Sequence, residues 1–213
     1  MYEAYWHLKA RPFRNTPDPE YFYHSSQHAE ALMKLSYAVN ERMGAAMLTG
    51  DYGCGKTLLC RVLLNQIGPA AVSAASSVQP EMDPLDLLRS IARSLGPADI
   101  PASRLALLKD GLIEVIDKAL RENARDGKHT VIVLDEAHMI ESASVFEVTR
   151  LLLNFHNTEG FLLTLILVGH PELAARVSAL KQLSQRVPIS CVLGHFARAD
   201  TAGYIQTRMT VAG

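Results

Sequence analysis

A glycine-rich octapeptide, Gly50-Asp51-Tyr52-Gly53-Cys54-Gly55-Lys56-Thr57, contains the residue types that bind phosphate. It matches the pattern G-x-x-x-x-G-K-[ST], follows an apolar run at residues 45–48 and precedes a helix-forming run at residues 58–66. Glycines let successive N–H groups point at phosphate oxygens without Cβ clashes, and the following helix adds its free amides and positive dipole end. The pattern predicts a nucleotide site, and the alternative is a chance glycine-rich turn.

The residue types of this loop predict separate tasks. The Lys56 ammonium would supply a point charge to the β- and γ-phosphates, and the Thr57 hydroxyl would ligate Mg²⁺. We interpret Cys54 as a spacer whose backbone amide matters. The predicted ligands are a nucleotide and Mg²⁺, and the other nucleotide-binding positions are Gly50, Asp51, Tyr52, Gly53, Cys54, Gly55 and Leu58.

An acidic pair, Asp135-Glu136, follows the apolar run at residues 131–134. An acidic residue just past the carboxyl end of a buried strand can reach the Mg²⁺ of a nucleotide bound there. Asp135 would hold the metal through water, and Glu136 would act as the general base on the attacking water. Considered alone, the pair is better explained as the end of a strand. Considered together with the phosphate loop, it favours a catalytic role, and it favours hydrolysis over phosphoryl transfer to an acceptor other than water.

Two histidines lie near these motifs. His138 could hydrogen-bond Glu136 or a neighbouring backbone group, and a structural role fits it at least as well as a catalytic one. His170 ends an apolar run and precedes Pro171. If that strand lies between the phosphate-loop strand and the Asp135 strand, His170 would face the γ-phosphate and sense it. The alternative is an exposed turn histidine.

Arg176 and Arg186 follow, in segments that we expect to be helical and to face away from their own nucleotide. An arginine supplied to a neighbouring subunit's γ-phosphate can accelerate hydrolysis by roughly 10³-fold or more. Arg186 is the preferred candidate, and the alternative for both residues is an ordinary exposed arginine.

These residues must be positioned by strands that alternate with helices. Near-continuous apolarity predicts strands buried on both faces, and apolar side chains at 3.6-residue spacing predict helices. The predicted strands are residues 45–49, 70–75, 130–134, 162–168 and 189–193. The predicted helices are residues 26–42, 58–66, 83–95 (capped by Asp83), about 102–125, 143–157, 171–183 and 198–209. The alternation predicts an α/β domain with three layers.

The bulk composition is that of a soluble globular chain. Its 213 residues are 48% hydrophobic and 20% charged, and the net charge of −1 gives no overall basic field for nucleic acid. Three scattered cysteines fit neither a disulfide framework nor a metal site and agree with a reducing compartment. No signal peptide or membrane-spanning run is apparent, so we expect a cytoplasmic protein. Residues 1–27, rich in aromatics and prolines, are expected to form an ordered arm on the core.

Together these motifs resemble the ExeA/GspA-like ATPases of secretion and pilus systems, and related transposition ATPases, within the AAA+ superfamily. The resemblance covers nearly the whole chain. Its most specific part is the amino-terminal signature, Tyr5-Trp6-His7-Leu8, Pro12-Phe13, Thr16-Pro17-Asp18-Pro19 and Tyr21-Phe22-Tyr23. Later blocks are similar to the family at residues 135–138, 151–155, 168–173, 185–187 and 204–208.

The resemblance implies an AAA+ P-loop NTPase with a central parallel five-stranded sheet of order 5-1-4-3-2, and ATP bound between subunits of a homo-oligomer. It divides the chain into the arm (1–27), the ATPase core (28–197) and the start of a helical lid (198–213). His170 falls at a sensor position where the family usually has glutamine, and Arg186 at the trans-acting arginine. Because the arm would lie near the adenine, residues 23–28 are candidate base or ribose contacts.

The family usually continues into a small helical lid with a second sensor arginine, whereas this chain stops at Gly213. We therefore expect nucleotide binding with impaired hydrolysis and ring assembly. The leading hypothesis is a Mg²⁺-dependent ATPase that assembles or remodels a secretion or pilus-type complex. The alternative is an ATP-dependent DNA-binding regulator of transposition, which the near-neutral charge mildly disfavours. A kinase of small molecules or nucleotides is a third, weaker hypothesis.

Overall fold

The computed structural model describes residues 2–79, 81–95 and 108–213. The main strands are β1 (Ala45–Gly50), β2 (Ala71–Ser77), β3 (His129–Asp135), β4 (Leu163–Gly169) and β5 (Ile189–Leu193). The helices are α1 (Tyr2–Tyr5), α2 (Ser26–Asn40), α3 (Lys56–Ile67), α4 (Pro84–Leu95), α5 (Lys109–Arg125), α6 (Ala143–Leu152), α7 (Glu172–Ala179), α8 (Lys181–Ser184) and α9 (Arg198–Ala212). In these described ranges, no helix combines the length and apolarity needed to cross a membrane.

The main sheet has five strands, all of them parallel. Its order is 2-3-4-1-5, which confirms the predicted 5-1-4-3-2 when it is followed from the other edge. Strand β4 pairs with β1 on one side and with β3 on the other. The carboxyl ends of these three strands therefore meet at the same end of the sheet, where an α/β protein binds its ligands.

Helices cover both faces of the sheet, which produces the three predicted layers. Successive side chains of a strand point to opposite faces, and β3 shows this clearly. Ile132 and Leu134 belong to the core formed with α4, α5, α6 and α7, whereas Val131 and Val133 belong to the core formed with α2 and α3. All four side chains are buried, which explains why the strand is continuously apolar in the sequence.

The helix predicted over residues 143–157 is wrong in its last third. Helix α6 ends at Leu152, and His156–Asn157 pairs with Gly160–Phe161 in a short antiparallel hairpin. Asn157 Oδ1 accepts hydrogen bonds from the N–H groups of Glu159 at 2.9 Å and Gly160 at 3.1 Å. Gly160 has a φ of 140°, which favours glycine. Local turn chemistry therefore overrides the helical pattern here.

Other boundaries agree to within a few residues. The predicted cap of α4 is confirmed, because Asp83 Oδ1 accepts a hydrogen bond from the N–H of Asp86 at 2.7 Å. The single helix predicted over residues 171–183 is split into α7 and α8. The predicted start of the helix that contains α5, at residue 102 or 103, lies outside the described residues.

The amino-terminal arm lies against α3 and against the end of α9. Arg61 of α3 donates a hydrogen bond to the carbonyl of Pro17 at 2.9 Å. The N–H groups of Lys9 and Ala10 donate to the carbonyl of Ala212 at 2.7 and 3.1 Å. The arm therefore joins two helices that are far apart in the sequence.

A buried arginine of α9 makes the second connection to the arm. The Arg208 guanidinium donates hydrogen bonds to the carbonyl of Pro12 and to the hydroxyl of Tyr204. It also lies over the ring of Tyr21, 5.0 Å from the ring centroid. The Arg208 side chain is thus both a hydrogen-bond donor and a packing element between the arm and α9.

Candidate functional site

The phosphate loop connects β1 to α3 and requires glycine at defined positions. A Cβ on Gly50 would collide with the carbonyl of Leu193 on β5 and would lie 2.7 Å from Cys54 Sγ. Gly53 and Gly55 have φ values of 75° and 90°, in the left-handed region that disfavours other residues. The glycines of the motif therefore allow both the close approach of β5 and the tight curvature of the loop.

The amino-terminus of α3 is open to an anion. The helix begins at Lys56 with Gly55 as its N-cap, and no side chain makes a capping hydrogen bond there. The first N–H groups of a helix lack partners within the helix, and the helix dipole adds positive potential. Because residues 53–58 line a cavity, these groups can bind phosphate oxygens there.

Lys56 lies inside the loop with 9% of its surface exposed. Its Nζ donates hydrogen bonds to the carbonyls of Gly50 and Asp51, each at 2.9 Å. An ammonium binds an anionic oxygen more strongly than a neutral carbonyl, so a phosphate would be its better partner. Burial raises the pKa of the Cys54 thiol, which agrees with a spacer role rather than a reactive thiolate.

The two predicted metal ligands are brought together. Thr57 Oγ1 donates a hydrogen bond to Asp135 Oδ2 at 2.8 Å. The other carboxylate oxygen, Asp135 Oδ1, accepts from the N–H of Glu136 at 2.9 Å. Within residues 2–79, 81–95 and 108–213, no group of three His, Cys, Asp or Glu side chains could hold a metal. A hydroxyl and one carboxylate fit Mg²⁺, which keeps several waters and shares its shell with substrate phosphates.

Glu136 follows Asp135 in a backbone conformation that is rare for a residue with a side chain. Its φ is 57°, and such left-handed values cluster at functional sites. Its side chain is 42% exposed, and the residue lines the same cavity as Thr57. His138 Nδ1 lies 3.3 Å from Glu136 Oε2, within ion-pair distance but without a hydrogen bond, so the first of the two contacts considered for His138 is a close approach only.

His170 meets the condition on which its predicted role depends, because β4 lies between β1 and β3. Its Nε2 lies 3.7 Å from Asp51 Oδ1, and its ring centroid lies 4.5 Å from that of Tyr52. His195, which the sequence did not single out, has its Nε2 3.4 Å from Asp51 Oδ2. It follows β5, and its place just past a strand's carboxyl end is the signal that could have identified it.

A cavity of about 500 Å³ extends from the phosphate loop to the arm and α9. This volume is in the range of small-molecule sites. Tyr23 and His28, two of the predicted base or ribose contacts, line it. Phe196, which the sequence did not identify, lies against the rings of Tyr23, His28 and Tyr204 with centroids 5.8, 5.3 and 5.5 Å away. The cavity therefore has an aromatic wall that is connected to the phosphate loop through His28.

The two candidate arginines lie away from the cavity of their own chain, as expected. Arg186 is in a turn after α8 rather than in a helix, and its guanidinium donates to the carbonyl of Leu153 at 2.7 Å. Arg176 of α7 donates to the carbonyls of His138 and Ile140. A role for Arg186 in a neighbouring subunit's site stays a prediction.

The sequence matches known proteins over most of its length. A family model described as "AAA domain" matches residues 39–177. The chain is also 36% identical to general secretion pathway protein A of Aeromonas hydrophila over 216 aligned residues. That alignment covers 100% of this chain but 38% of the relative, so the chain spans well under half of that protein's length.

The fold is similar to that of several solved structures. The ORC2 protein of Aeropyrum pernix, in ADPNP–ADP complexes, superposes with a TM-score of 0.73 at 14% identity, covering 96% of this chain and 56% of that one. Cdc6p of Pyrobaculum aerophilum gives 0.68 at 19% identity, covering 98% and 53%. The ORC1 protein of Aeropyrum pernix, in complex with DNA, gives 0.64 at 16% identity, covering 86% and 49%. At these identities the similarity shows a shared P-loop NTPase fold.

Proposed function

This chain belongs to the AAA domain family, and from that premise we propose that it binds Mg·ATP beside the phosphate loop and hydrolyses it. The observation that carries the proposal is the convergence of Lys56, the Thr57–Asp135 pair and Glu136 around one cavity. These groups come from two segments of the chain, and Thr57 and Asp135 lie 78 positions apart in the sequence. Together they supply the cation, the metal ligands and the base that hydrolysis of a triphosphate needs.

The phosphate loop would bind the polyphosphate. The free amides at the start of α3 would donate to phosphate oxygens, and Lys56 would exchange its carbonyl partners for the β- and γ-phosphates. The aromatic wall formed by Phe196, Tyr204 and Tyr23 would receive the base. This division places the phosphates at the sheet and the base between the arm and α9.

The acidic pair would manage metal and water. Thr57 and Asp135 would hold Mg²⁺. The bound cation would neutralise the negative charge that develops on the phosphoryl oxygens during hydrolysis. Glu136 would accept a proton from the attacking water, because its carboxylate is accessible at the cavity. His170 would donate a hydrogen bond to the γ-phosphate from the end of β4 and so report its presence.

We further propose that hydrolysis drives the assembly or remodelling of a secretion or pilus-type complex. The support is the 36% identity to general secretion pathway protein A, a protein of which this chain covers 38%. In this proposal the chain acts as a homo-oligomer with ATP at the interfaces, and Arg186 reaches the site of the neighbouring subunit.

A second candidate function is ATP-dependent DNA binding that regulates transposition. It is favoured by the fold similarity to the ORC1 protein of Aeropyrum pernix, whose structure is a complex with DNA. The net charge of −1 disfavours it. An electrophoretic mobility shift with a non-hydrolysable ATP analogue, at two salt concentrations, tests it, since DNA binding through phosphates weakens steeply with salt.

Two substitutions test the proposed ATPase. Lys56→Ala removes the loop cation, so the affinity for Mg·ATP is expected to fall roughly a hundredfold or more. Glu136→Gln removes the base but keeps the side-chain volume, so binding is expected to persist while turnover falls by about 10²- to 10⁴-fold. Nucleotide titration and phosphate release measure the two effects separately.

Matched controls are available on the same chain. Lys118→Ala removes an exposed lysine of α5, and Glu141→Gln changes an exposed acid five positions beyond Glu136. Both are expected to leave binding and turnover unchanged. Normal hydrolysis by the Glu136→Gln protein would show that the catalytic assignment of Glu136 is wrong. Normal ATP binding by the Lys56→Ala protein would show that the proposed nucleotide site is wrong.

A further inference from the structure

His28, in the first turn of α2, contacts the phosphate loop and also lines the cavity. Its side chain is buried, with 3% of the residue exposed. Nε2 lies 2.9 Å from the carbonyl oxygen of Cys54, and Nδ1 lies 2.7 Å from Ser25 Oγ. A Cβ on Gly55 would lie 3.2 Å from the same Nε2, so the imidazole fits closely against the loop.

The chemistry of these partners determines which ring nitrogen carries the proton. A carbonyl oxygen can only accept, so Nε2 must be the N–H that donates to Cys54. Nδ1 then accepts from the Ser25 hydroxyl. Burial lowers the pKa of His28 by more than its hydrogen bond to Cys54 raises it, which favours this neutral form. The ring is thus a single-proton donor aimed at the loop.

The neighbouring residue fixes the turn that carries His28. The Gln27 side chain donates to the carbonyl of Gly194 at 3.1 Å and accepts from its N–H at 2.9 Å. The rings of Phe22 and Phe196 lie on the imidazole, with centroids 5.8 and 5.3 Å away. His28 is therefore held by the end of β5, by the arm and by the cavity wall at the same time.

A hydrogen bond to one carbonyl orients the next amide. The C=O and N–H of a trans peptide point in opposite directions, and no peptide bond of the described residues is cis. A Cys54 carbonyl that points at α2 therefore turns the Gly55 N–H away from α2. Gly55, at a φ of 90°, has the freedom to lose this orientation, because glycine reaches many backbone conformations.

We propose that His28 is a positioning residue that holds the Cys54–Gly55 peptide so that the Gly55 N–H is presented to a nucleotide phosphate. The inference rests on the proposed function, since it concerns the same phosphate site. It differs from the sequence-based expectation that residues 23–28 contact the base or ribose. His28 acts through the loop backbone and contributes to the binding of any nucleotide that carries a β-phosphate.

The test compares a variant that keeps the donor with one that keeps the ring. His28→Gln retains an N–H that can reach Cys54, whereas His28→Phe retains an aromatic ring beside Phe22 and Phe196 without a donor. Titrations with Mg·ADP and with a non-hydrolysable ATP analogue give the affinities. We expect His28→Gln to bind both within about threefold of the unmodified chain, and His28→Phe to bind both roughly tenfold or more weakly.

Steady-state hydrolysis adds a second readout. The Gly55 N–H would bind the phosphate of the substrate and of the transition state equally. Loss of this contact therefore raises KM and leaves kcat nearly unchanged. The control is His156→Phe, because His156 is exposed in the hairpin after α6 and does not line the cavity. Thermal unfolding without nucleotide establishes that the variants are folded.

The outcomes separate the two ideas. If the unmodified chain binds neither nucleotide, the proposed function and this inference both fail. If it binds them and His28→Phe binds equally well, or if Gln and Phe weaken binding alike, His28 is a packing residue and the inference alone is overturned. Rescue by glutamine, with the loss in KM rather than kcat, supports it.

Discussion

At the scale of single residues, His170 lies at the end of β4, beside Asp51 and Tyr52. The resemblance to the ExeA/GspA-like pattern implies a glutamine at this position. Both side chains can donate one hydrogen bond to a γ-phosphate. We predict that His170→Gln retains most of the turnover, whereas His170→Ala lowers kcat roughly a hundredfold with little change in ATP affinity.

Phosphate-release kinetics and nucleotide titration check this prediction. His156→Ala is the matched control, because His156 is an exposed histidine in the hairpin after α6 and does not line the cavity. Turnover by His170→Ala at the rate of the unmodified chain would exclude a sensing role for His170.

The sequence identified the phosphate end of the site because its chemistry is local. The spacing of Gly50, Lys56 and Thr57 and the pair Asp135-Glu136 each lie within one short segment. The aromatic wall is different: Phe196 meets His28 across the fold, at a contact that no sequence spacing encodes. His28 was identified as a candidate residue, but its partner, the Cys54 carbonyl, is visible only in the structure.

At the scale of elements, the contact between the arm and α9 depends on Arg208. The buried guanidinium satisfies the Pro12 carbonyl and the Tyr204 hydroxyl. Arg208→Met keeps the apolar stem but leaves these groups without their donor, so we predict a loss of about 1–3 kcal/mol in the free energy of unfolding. Chemical denaturation measures it, and faster tryptic cleavage at Lys9 and Arg14 should report release of the arm.

Arg198→Met provides the comparison, because Arg198 is an exposed residue at the start of the same helix. It should leave both stability and cleavage of the arm unchanged. Equal protease resistance of the two variants would mean that the arm is held by its other contacts, such as those of Lys9 and Arg61.

The strands were predicted more reliably than the helix ends. A strand covered on both faces leaves a continuous apolar run, as in β3, and that run is legible without knowledge of its neighbours. The end of α6 was missed because the turn at Asn157–Gly160 depends on a side-chain acceptor and a positive φ at Gly160. The order of the sheet came from the family resemblance, since spacing within one strand does not specify its neighbours.

At the scale of the whole molecule, the proposed oligomer makes a prediction about mixtures. Lys56→Ala would lack its own ATP but still offer Arg186 to a neighbour, and Arg186→Ala would bind ATP but offer no arginine. Each variant alone should be slowed by roughly 10³-fold, whereas a mixture should exceed the sum of the separate rates, because some interfaces combine both intact halves. Phosphate release from mixed and unmixed samples measures this.

Arg176→Ala replaces Arg186→Ala in the control mixture, because this variant keeps both Lys56 and Arg186 and so has nothing to gain from a partner. It should give no gain on mixing. If folded Arg186→Ala and Lys56→Ala proteins also show no gain, the trans-acting assignment of Arg186 is wrong.

The carboxylate of Asp51 lies within 4 Å of two imidazole nitrogens. It lies between His170, at the end of β4, and His195, three positions before α9 begins. A triphosphate would bring new negative charge beside that carboxylate. The phosphate and the carboxylate would then compete for interaction with the two imidazoles. When the substrate binds or leaves, these histidines would therefore change their anionic partner. One of them, His195, lies in the segment that leads into α9.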